Sequence, residues 1–465
     1  MKFLLDTNAF IAVEPVTDLD VEAGSAPTAR LLRLLAEGSH EVFVHPAARM
    51  DIARDLDAAR KRARQVQFDK YRQLTSPPQV PADWAAVLGS AATGTNDDVD
   101  HRHLAAVGAD AVHYLVTEDQ GLHRMARRVG LGERVLTVAG ALAVLEALFG
   151  VDYVAPPAVD PILAYELDLA DPIFDSLRED YSGFDAWLQR ARLEHRRGWV
   201  IRDHADGYAG LCLVKPEEDG NDAGLLGKVL KISTFKVSER HSGLRYGELL
   251  LKTIFGYADA NDYVGLYLTT FAQRQPGLLR LVDDFGFTDE GRHGEEVILA
   301  KRLHPTAEEM ERLSPLELHI RFGPPLVKVV DGQTFVVPVE PRFARRLFPE
   351  LPGQLELTAT PTPYGNAIKK AYLCHAAIRA IEPGATLLIY RSQDERSVGV
   401  VGVVDDLVVS RDPALIASAV GTRTVYTMPE IETMSQRGEI LALLFRQASL
   451  LADPVPLKVL VGAGL

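Results

Sequence analysis

Lys2-Phe3-Leu4-Leu5-Asp6-Thr7-Asn8 opens the chain, a short apolar run that ends abruptly on an acid. A run of this kind, apolar without alternation, reads as a strand buried on both faces, the signature of a parallel sheet covered by helices. Asp6 then stands at the C-terminal end of that strand, where open α/β sheets place their ligands. Outward from this string the pattern alternates. Thr28–Glu37 is helical and Val42–Val44 a second strand, and Pro46 suits the N-terminus of a long helix running to Leu74, ended by Pro77, Pro78 and Pro81. A helix at His103–Ala109, a strand at Ala111–Val116, a helix at Gln120–Val129, a strand at Arg134–Val138 and a helix at Ala141–Phe149 complete the block. Strand–helix alternation implies a mainly parallel sheet over residues 1–150.

The remaining sequence divides at prolines. Pro156, Pro157 and Pro161 mark one boundary, and a proline-bearing linker from Pro305 to Pro325 marks another. Residues 158–304 read as mixed α/β. Strands are expected at Trp199–Ile201 and Gly210–Val214, joined by a polar turn at Asp203–Gly207, and at Lys228–Val237, Gly265–Thr270 and Val297–Lys301. Helices are expected at Glu248–Ala260 and Leu278–Phe285. Residues 325–465 carry short β segments at Lys328–Val330, Thr334–Val339, Leu387–Tyr390 and Val398–Val404. Helices sit between them at Arg342–Phe348, Ala367–His375 and Pro429–Gln436, a pattern that favours a small mixed barrel. The expected architecture is thus α/β and multidomain: a parallel-sheet domain, a mixed α/β domain and a small β-barrel domain. Three domains also suit a chain of 465 residues.

Composition excludes several classes. With 47% hydrophobic and 25% charged residues the chain is an ordinary globular one. Cys212 and Cys374 cannot form a disulfide framework or a cysteine-based zinc site. Met1 leads directly into a strand and an acid, so no signal peptide is expected, and no apolar run approaches membrane-spanning length. A cytoplasmic protein with no membrane partner is the expectation. The net charge of −14 argues against a nucleic-acid binder by its sum, but the distribution argues otherwise. Positions 49–72 hold eight basic residues against four acidic ones, among them Arg60, Lys61, Arg62 and Arg64. Such a run is either a solvated helix face or a phosphate-binding face.

Four acidic positions of the first block follow successive strands or open helices. Asp6 and Asp119 lie after strands, Asp51 near the start of the helix after the second strand, and Asp97, Asp98 and Asp100 before the third helix. Singly, Asp51 and Asp97–Asp100 also suit helix N-termini, where the macrodipole favours acids. Jointly they would converge at one end of the sheet, and clustered carboxylates raise one another's pKa unless a cation sits among them. Oxygen ligands without cysteine point to Mg²⁺ or Mn²⁺.

With Leu4-Leu5-Asp6-Thr7-Asn8 at one end and Leu115-Val116-Thr117-Glu118-Asp119 near the other, residues 1–145 resemble the PIN-domain family of metal-dependent nucleases. The resemblance implies that Asp6, Asp100 and Asp119 are three of the family's four acids, with Asp51 the second and Thr117 a helper. Asp97 and Asp98 compete with Asp100, and the metal set implied is Asp6, Asp98, Asp100 and Asp119. His101, His103 and His113 are read as surface or supporting groups. Since the family includes ribonuclease toxins, the resemblance also implies a toxin or defence role, RNA as substrate and an antitoxin protein as partner.

The strand Lys228–Val237 runs into Ser242-Gly243-Leu244-Arg245-Tyr246-Gly247 and then into a helix, a turn that aims backbone N–H groups at an anion. This stretch, with Phe285-Gly286-Phe287 and the strand after it, looks like the GNAT N-acetyltransferase fold over residues 160–303. The resemblance implies that acetyl-CoA or CoA binds along Gly243, Leu244, Arg245, Tyr246 and Gly247. Two positions depart from the family's loop, Arg245 where it has its middle glycine and Ser242 where it has Arg or Gln. Val282 stands where it commonly has the tyrosine that protonates the leaving thiolate, so binding is expected and transfer is not. Tyr246 and Tyr267 are alternative acids.

In the third block, Tyr364-Gly365-Asn366-Ala367-Ile368-Lys369-Lys370-Ala371-Tyr372, with Tyr390-Arg391-Ser392 and Glu382-Pro383-Gly384, is similar to the ASCH and EVE branch of PUA-like barrels, which bind RNA or modified bases. Lys369 and Lys370 are the phosphate contacts this implies. RNA, with tRNA the economical choice, is the target on which the three resemblances agree. The leading expectation is a Mg²⁺-dependent endoribonuclease. The alternatives are an acetyltransferase for an RNA-linked or protein amine with a vestigial nuclease part, and a non-enzymatic acyl-CoA-sensing RNA binder.

Overall fold

The computed structural model describes residues 1–11, 25–150, 157–203, 207–330, 333–351, 363–378, 380–393 and 395–462. Pro156, the middle of the turn Asp203–Gly207 and the side chain of Tyr364 lie outside the described residues. The chain forms two compact units. One comprises Met1–Gly150 with Val409–Thr422 and Tyr426–Ile440, and the other Val151–Val408 with Arg423–Val425 and Leu441–Leu465.

The first unit is built on strands β1 (Lys2–Leu5), β2 (Glu41–Val44), β3 (Arg72–Gln73), β4 (Tyr114–Val116) and β5 (Val135–Leu136), in the order β3-β2-β1-β4-β5. Every pairing is parallel. Phe3, Leu4, Leu5, Leu115 and Val116 are wholly buried, as expected of a central pair covered on both faces. From the later segment Ala417 joins the same unit, its carbonyl accepting the Tyr114 hydroxyl at 3.0 Å.

The long helix expected from Pro46 to Leu74 is two helices, Ala48–Ala53 and Ala58–Phe68, followed by β3. Asp57 causes the break. Its carboxylate accepts the N–H groups of Ala59 and Arg60 at 2.9 and 3.0 Å and so starts a new helix.

The second unit carries two sheets. Strands β6 (Val159–Leu163), β7 (Arg197–Arg202), β8 (Tyr208–Glu217), β9 (Val229–Val237), β10 (Gly265–Thr270), β11 (Thr288–His293) and β12 (Glu296–Arg302) form a seven-stranded sheet, ordered β11-β12-β10-β9-β8-β7-β6. It is antiparallel except at its centre, where β9 and β10 run parallel and pair only over Gly265–Tyr267 with Val229–Lys231. Beyond those three pairs the strands part, leaving a gap in the sheet. The helix Tyr246–Ala260 packs on one face through Leu249, Leu250, Ile254 and Phe255.

The other sheet holds β13 (Thr334–Val339), β14 (Lys369–Cys374), β15 (Thr386–Arg391), β16 (Ser397–Ser410) and β17 (Ile440–Pro456), ordered β13-β15-β16-β17-β14. It is mixed, β13 being parallel to β15. Residues Lys328–Val330, read as a strand, are outside any element. The helix expected at Ala367–His375 is strand β14. Lys369 is buried against Asp284 and Lys370 against the Phe348 ring, so the polar pattern that suggested a helix end belongs to a buried strand. Among the described residues no helix is long and apolar enough to cross a membrane.

Candidate active site

Leu5 faces Val116 across the β1–β4 pair, which places the next residues of each strand, Asp6 and Thr117, side by side at the sheet's C-terminal edge. Thr117 Oγ1 donates to Asp6 Oδ2 at 2.7 Å and accepts the Asp119 N–H at 3.0 Å. Asp6 Oδ1 accepts the Thr7 N–H at 2.6 Å, and Asp119 Oδ1 caps the helix Gln120–Arg128 through the Leu122 N–H at 2.9 Å. One threonine hydroxyl thus holds the carboxylate of Asp6 and the backbone of Asp119.

Asp6 is 6% exposed, and burial pushes its carboxyl up, opposed by the Thr117 and Thr7 hydrogen bonds and reinforced by Asp119. Asp51 is raised by burial, with Arg54 at 2.9 Å pulling it down and Asp6 pushing it up. Asp100, on the helix Asn96–Gly108, is pushed up to about 8, first by burial and then by the charges of Asp6, Asp119, Asp51 and Asp97. Asp6, Asp51, Asp100 and Asp119 therefore share one electrostatic neighbourhood.

Asp98 does not belong to it. Its Oδ1 accepts Arg102 Nε at 3.0 Å and its Oδ2 accepts the Gly94 N–H at 2.9 Å, and these bonds outweigh burial to hold the carboxyl low. Two positions apart on a helix, Asp98 and Asp100 cannot face the same way. Asp98, expected among the metal ligands, has its two oxygens on Arg102 and Gly94 here.

The donors at this edge are oxygens, the type that Mg²⁺ and Mn²⁺ take, and Thr7 Oγ1, next to Asp6, is buried with no hydrogen-bond partner among the described residues. The chemistry of the donor set fits a hard divalent cation. Among the described residues, however, no group of three or more His, Cys, Asp or Glu stands assembled to hold a metal ion. His101, His103 and His113 are buried rather than on the surface. His113 Nδ1 accepts the Lys2 N–H at 2.8 Å, and His103 meets the ring of His45 edge-on at 5.3 Å. Burial holds His103 down at about 4, so it stays neutral. Sequence reading missed His45 and Thr7. Only Thr7 carried a signal, its place beside Asp6.

The basic helix is partly committed. Arg60 binds both oxygens of Asp55 at 2.6 Å, and Arg64 reaches Asp55 Oδ2 at 2.9 Å. Lys61 and Arg62 make no ion pair among the described residues, and Arg62 is exposed.

In the seven-stranded sheet, the loop after β9 ends in Arg245, whose backbone is left-handed at φ 57° and which precedes the first turn of the helix Tyr246–Ala260. A non-glycine residue there carries a cost of roughly 1–2 kcal/mol, which explains why glycine suits the position. Here the Arg245 guanidinium pairs with Glu248, one turn on. Glu248 is buried, and its Oε2 also accepts the N–H groups of Ile368 and Lys369 at 2.8 and 3.3 Å, while Asn366 Nδ2 donates to Leu244 O at 2.7 Å. The segment entering β14 thus braces the loop Gly243–Gly247.

The two alternative acids are both engaged. Tyr246 is buried and stacked on His241, its hydroxyl pushed up by burial and by Asp203. Tyr267 is buried and donates to Glu217, and burial and that carboxylate push it up further. Val282 lies in the core.

Lys369 and Lys370 are not free for RNA. Lys369 is 6% exposed with its Nζ at 3.3 Å from Asp284, and Lys370 is wholly buried over the Phe348 ring, its pKa driven well down by burial. Both assignments as phosphate contacts are corrected by that burial.

No protein-family model matches the sequence, and no curated protein matches it. Similar solved structures include an ASCH protein of Zymomonas mobilis, 17% identical over 28% of this chain and 79% of that one, with a TM-score of 0.21. Another is a GNAT family acetyltransferase from Elizabethkingia anophelis with acetyl-CoA bound, 14% identical over 31% of this chain and 98% of that one, at 0.23. A third is the NatC complex bound to Gag peptide and CoA, 14% identical over 31% and 99%, at 0.23.

Proposed function

We propose that the parallel-sheet domain is a divalent-metal-dependent endoribonuclease. The observation that carries this reading is the chain Asp6–Thr117–Asp119 at the ends of neighbouring strands, with Asp100 and Asp51 within reach of its charge. Asp6, Asp100 and Asp119 are the residues that would hold Mg²⁺ or Mn²⁺, and Asp51 would adjust the charge around them. When bound, such an ion supplies an activated water and charge stabilisation for in-line phosphodiester hydrolysis. Thr117 fixes the carboxylate of Asp6, and Asp100 holds a proton near neutral pH that a cation would displace. Lys61 and Arg62, which make no ion pair among the described residues, would follow the RNA backbone. The substrate we favour is RNA, tRNA in particular, in a toxin or defence setting with an antitoxin protein as partner.

Full-length protein incubated with total RNA should cleave it with Mg²⁺ and not with EDTA. Asp6→Asn and Asp119→Asn should each lower the rate by about 10²-fold or more. Cleavage that persists in EDTA, or that survives both substitutions, removes the reading.

A second reading concerns the other unit. The gap between β9 and β10 and the 15-residue helix that begins just beyond it favour acyl-CoA binding along Gly243–Gly247. With Val282 in the core and the hydroxyl of Tyr267 committed to Glu217, binding with slow or absent acetyl transfer is the activity this supports.

A further inference from the structure

The seven-stranded sheet holds a cavity of about 430 Å³ beside the point where β9 and β10 part. Its walls come from β8, β9 and β10 and from the helices Asp175–Asp180 and Phe184–Leu193. The volume is that of a small-molecule site. No sequence motif announced it, because its residues come from separate stretches of chain.

One wall is aromatic. The rings of Phe184 and Trp187 stack at 5.6 Å, and Arg196 covers Trp187 at 5.4 Å. Tyr181 lines the cavity as well.

The charges decide what else the occupant carries. Three lining cations already have partners: Lys215 with Glu217 at 2.7 Å, Lys231 with Asp222 at 2.9 Å and Arg196 with Glu194 at 2.7 Å. Two lining charges make no ion pair among the described residues, the half-buried Glu296 and the exposed Arg190. Glu296 lies close to Tyr181, whose hydroxyl is pushed up to about 12 by burial and then by that carboxylate. A ligand ammonium would give the Glu296 carboxylate the opposite charge that the described residues do not. Arg190 would match an acid group on the same ligand.

We propose that this cavity binds a small aromatic zwitterion, a ring system bearing both an amine and an acid group. The proposal rests on the cavity's own lining and needs no CoA, so it and the acyl-CoA reading fail separately. Calorimetry on the full-length protein without CoA would compare L-tryptophan, which has both groups, with tryptamine and 3-indolepropionate, which have one each. Tryptophan should bind at least about tenfold more tightly than either, the scale of one well-placed charged contact. Glu296→Gln should bring tryptophan down to the level of 3-indolepropionate, Arg190→Ala should bring it to that of tryptamine, and Trp187→Ala should weaken all three. Equal affinity for the three ligands, or no binding at millimolar concentration, overturns the proposal. If a variant fails to fold, the ranking on the unaltered protein still decides.

Discussion

At the edge of the parallel sheet, Asp6, Asp51, Asp100 and Asp119 press on one another, and Arg54 is the one cation paired with them among the described residues. In the second unit, charges that are as deeply buried are matched. Glu248 meets Arg245 and two backbone amides, Lys369 meets Asp284, and Arg446 meets Asp405 at 2.9 Å. Lys301, wholly buried, donates to the carbonyls of Phe285, Ile320 and Arg321 at 2.8–2.9 Å. Buried charge therefore has two uses in this chain. Where it is matched it fixes packing and specifies which segments meet. Where like charges are gathered, the fold holds groups in a state that a ligand can change.

The largest effect expected from this contrast is a pH dependence. In the folded chain Asp100 takes up its proton near 8, against an ordinary value of 3.8. Between those values the native state keeps a proton that the unfolded state has lost, so stability falls as pH rises through the window. The slope from one group is at most about 1.4 kcal/mol per pH unit. Denaturant unfolding of metal-free protein from pH 5 to 8 should show the decline, and Asp100→Asn, which is always neutral, should flatten it. A flat profile in the unaltered protein would erase the contrast between the two regions.

A smaller effect tests the matched region. Gly247 is a poor place to probe the loop, because a Cβ there would sit 2.7 Å from Leu281 Cδ2 and disturb the core before touching a ligand. Ser242 is exposed in the same loop. Ser242→Glu adds an anion beside the expected pyrophosphate without altering the Arg245–Glu248 pair. CoA affinity measured by calorimetry should fall about tenfold, the effect of one added like charge across a partly solvated gap. Unchanged affinity would move the cofactor away from this loop.

The same contrast explains what could be read from the sequence. Leu4-Leu5-Asp6 declared a buried parallel strand ending in an acid, because apolar continuity and an abrupt charge are local signals. The strand–helix order placed Thr117 and Asp119 at the matching end of a neighbour. Matched charge left no such trace. Lys369-Lys370 read as a solvated helix end, since nothing near them announces that Asp284 and the Phe348 ring lie opposite. Trp187 and Arg190 on one helix and Glu296 on β12 line one cavity only because distant stretches of chain fold together. Asp55 and Asp57 looked like members of a surface charge run, but Arg60 and Arg64 close on Asp55, and Asp57 splits the long helix by capping a new one.

That last pair of acids sets the finest test, because it divides one basic run into matched and unmatched halves. Arg60 and Arg64 are held by Asp55, whose carboxyl is kept well below its usual range chiefly by its hydrogen bonds from Arg60. A phosphate would have to compete with that carboxylate for them. Lys61 and Arg62 have no such competitor among the described residues. If the helix follows RNA, Lys61→Ala and Arg62→Ala should each reduce the slope of log binding constant against log salt by about 0.7, the value for one single-strand phosphate contact. Arg60→Ala should change the slope less than either, because both oxygens of Asp55 hold its guanidinium away from a phosphate. Filter binding of a short single-stranded RNA across a salt series would measure all three. Equal losses from the three variants would show that the Asp55 pairs yield to RNA, and no loss from any would return the helix to a solvated face.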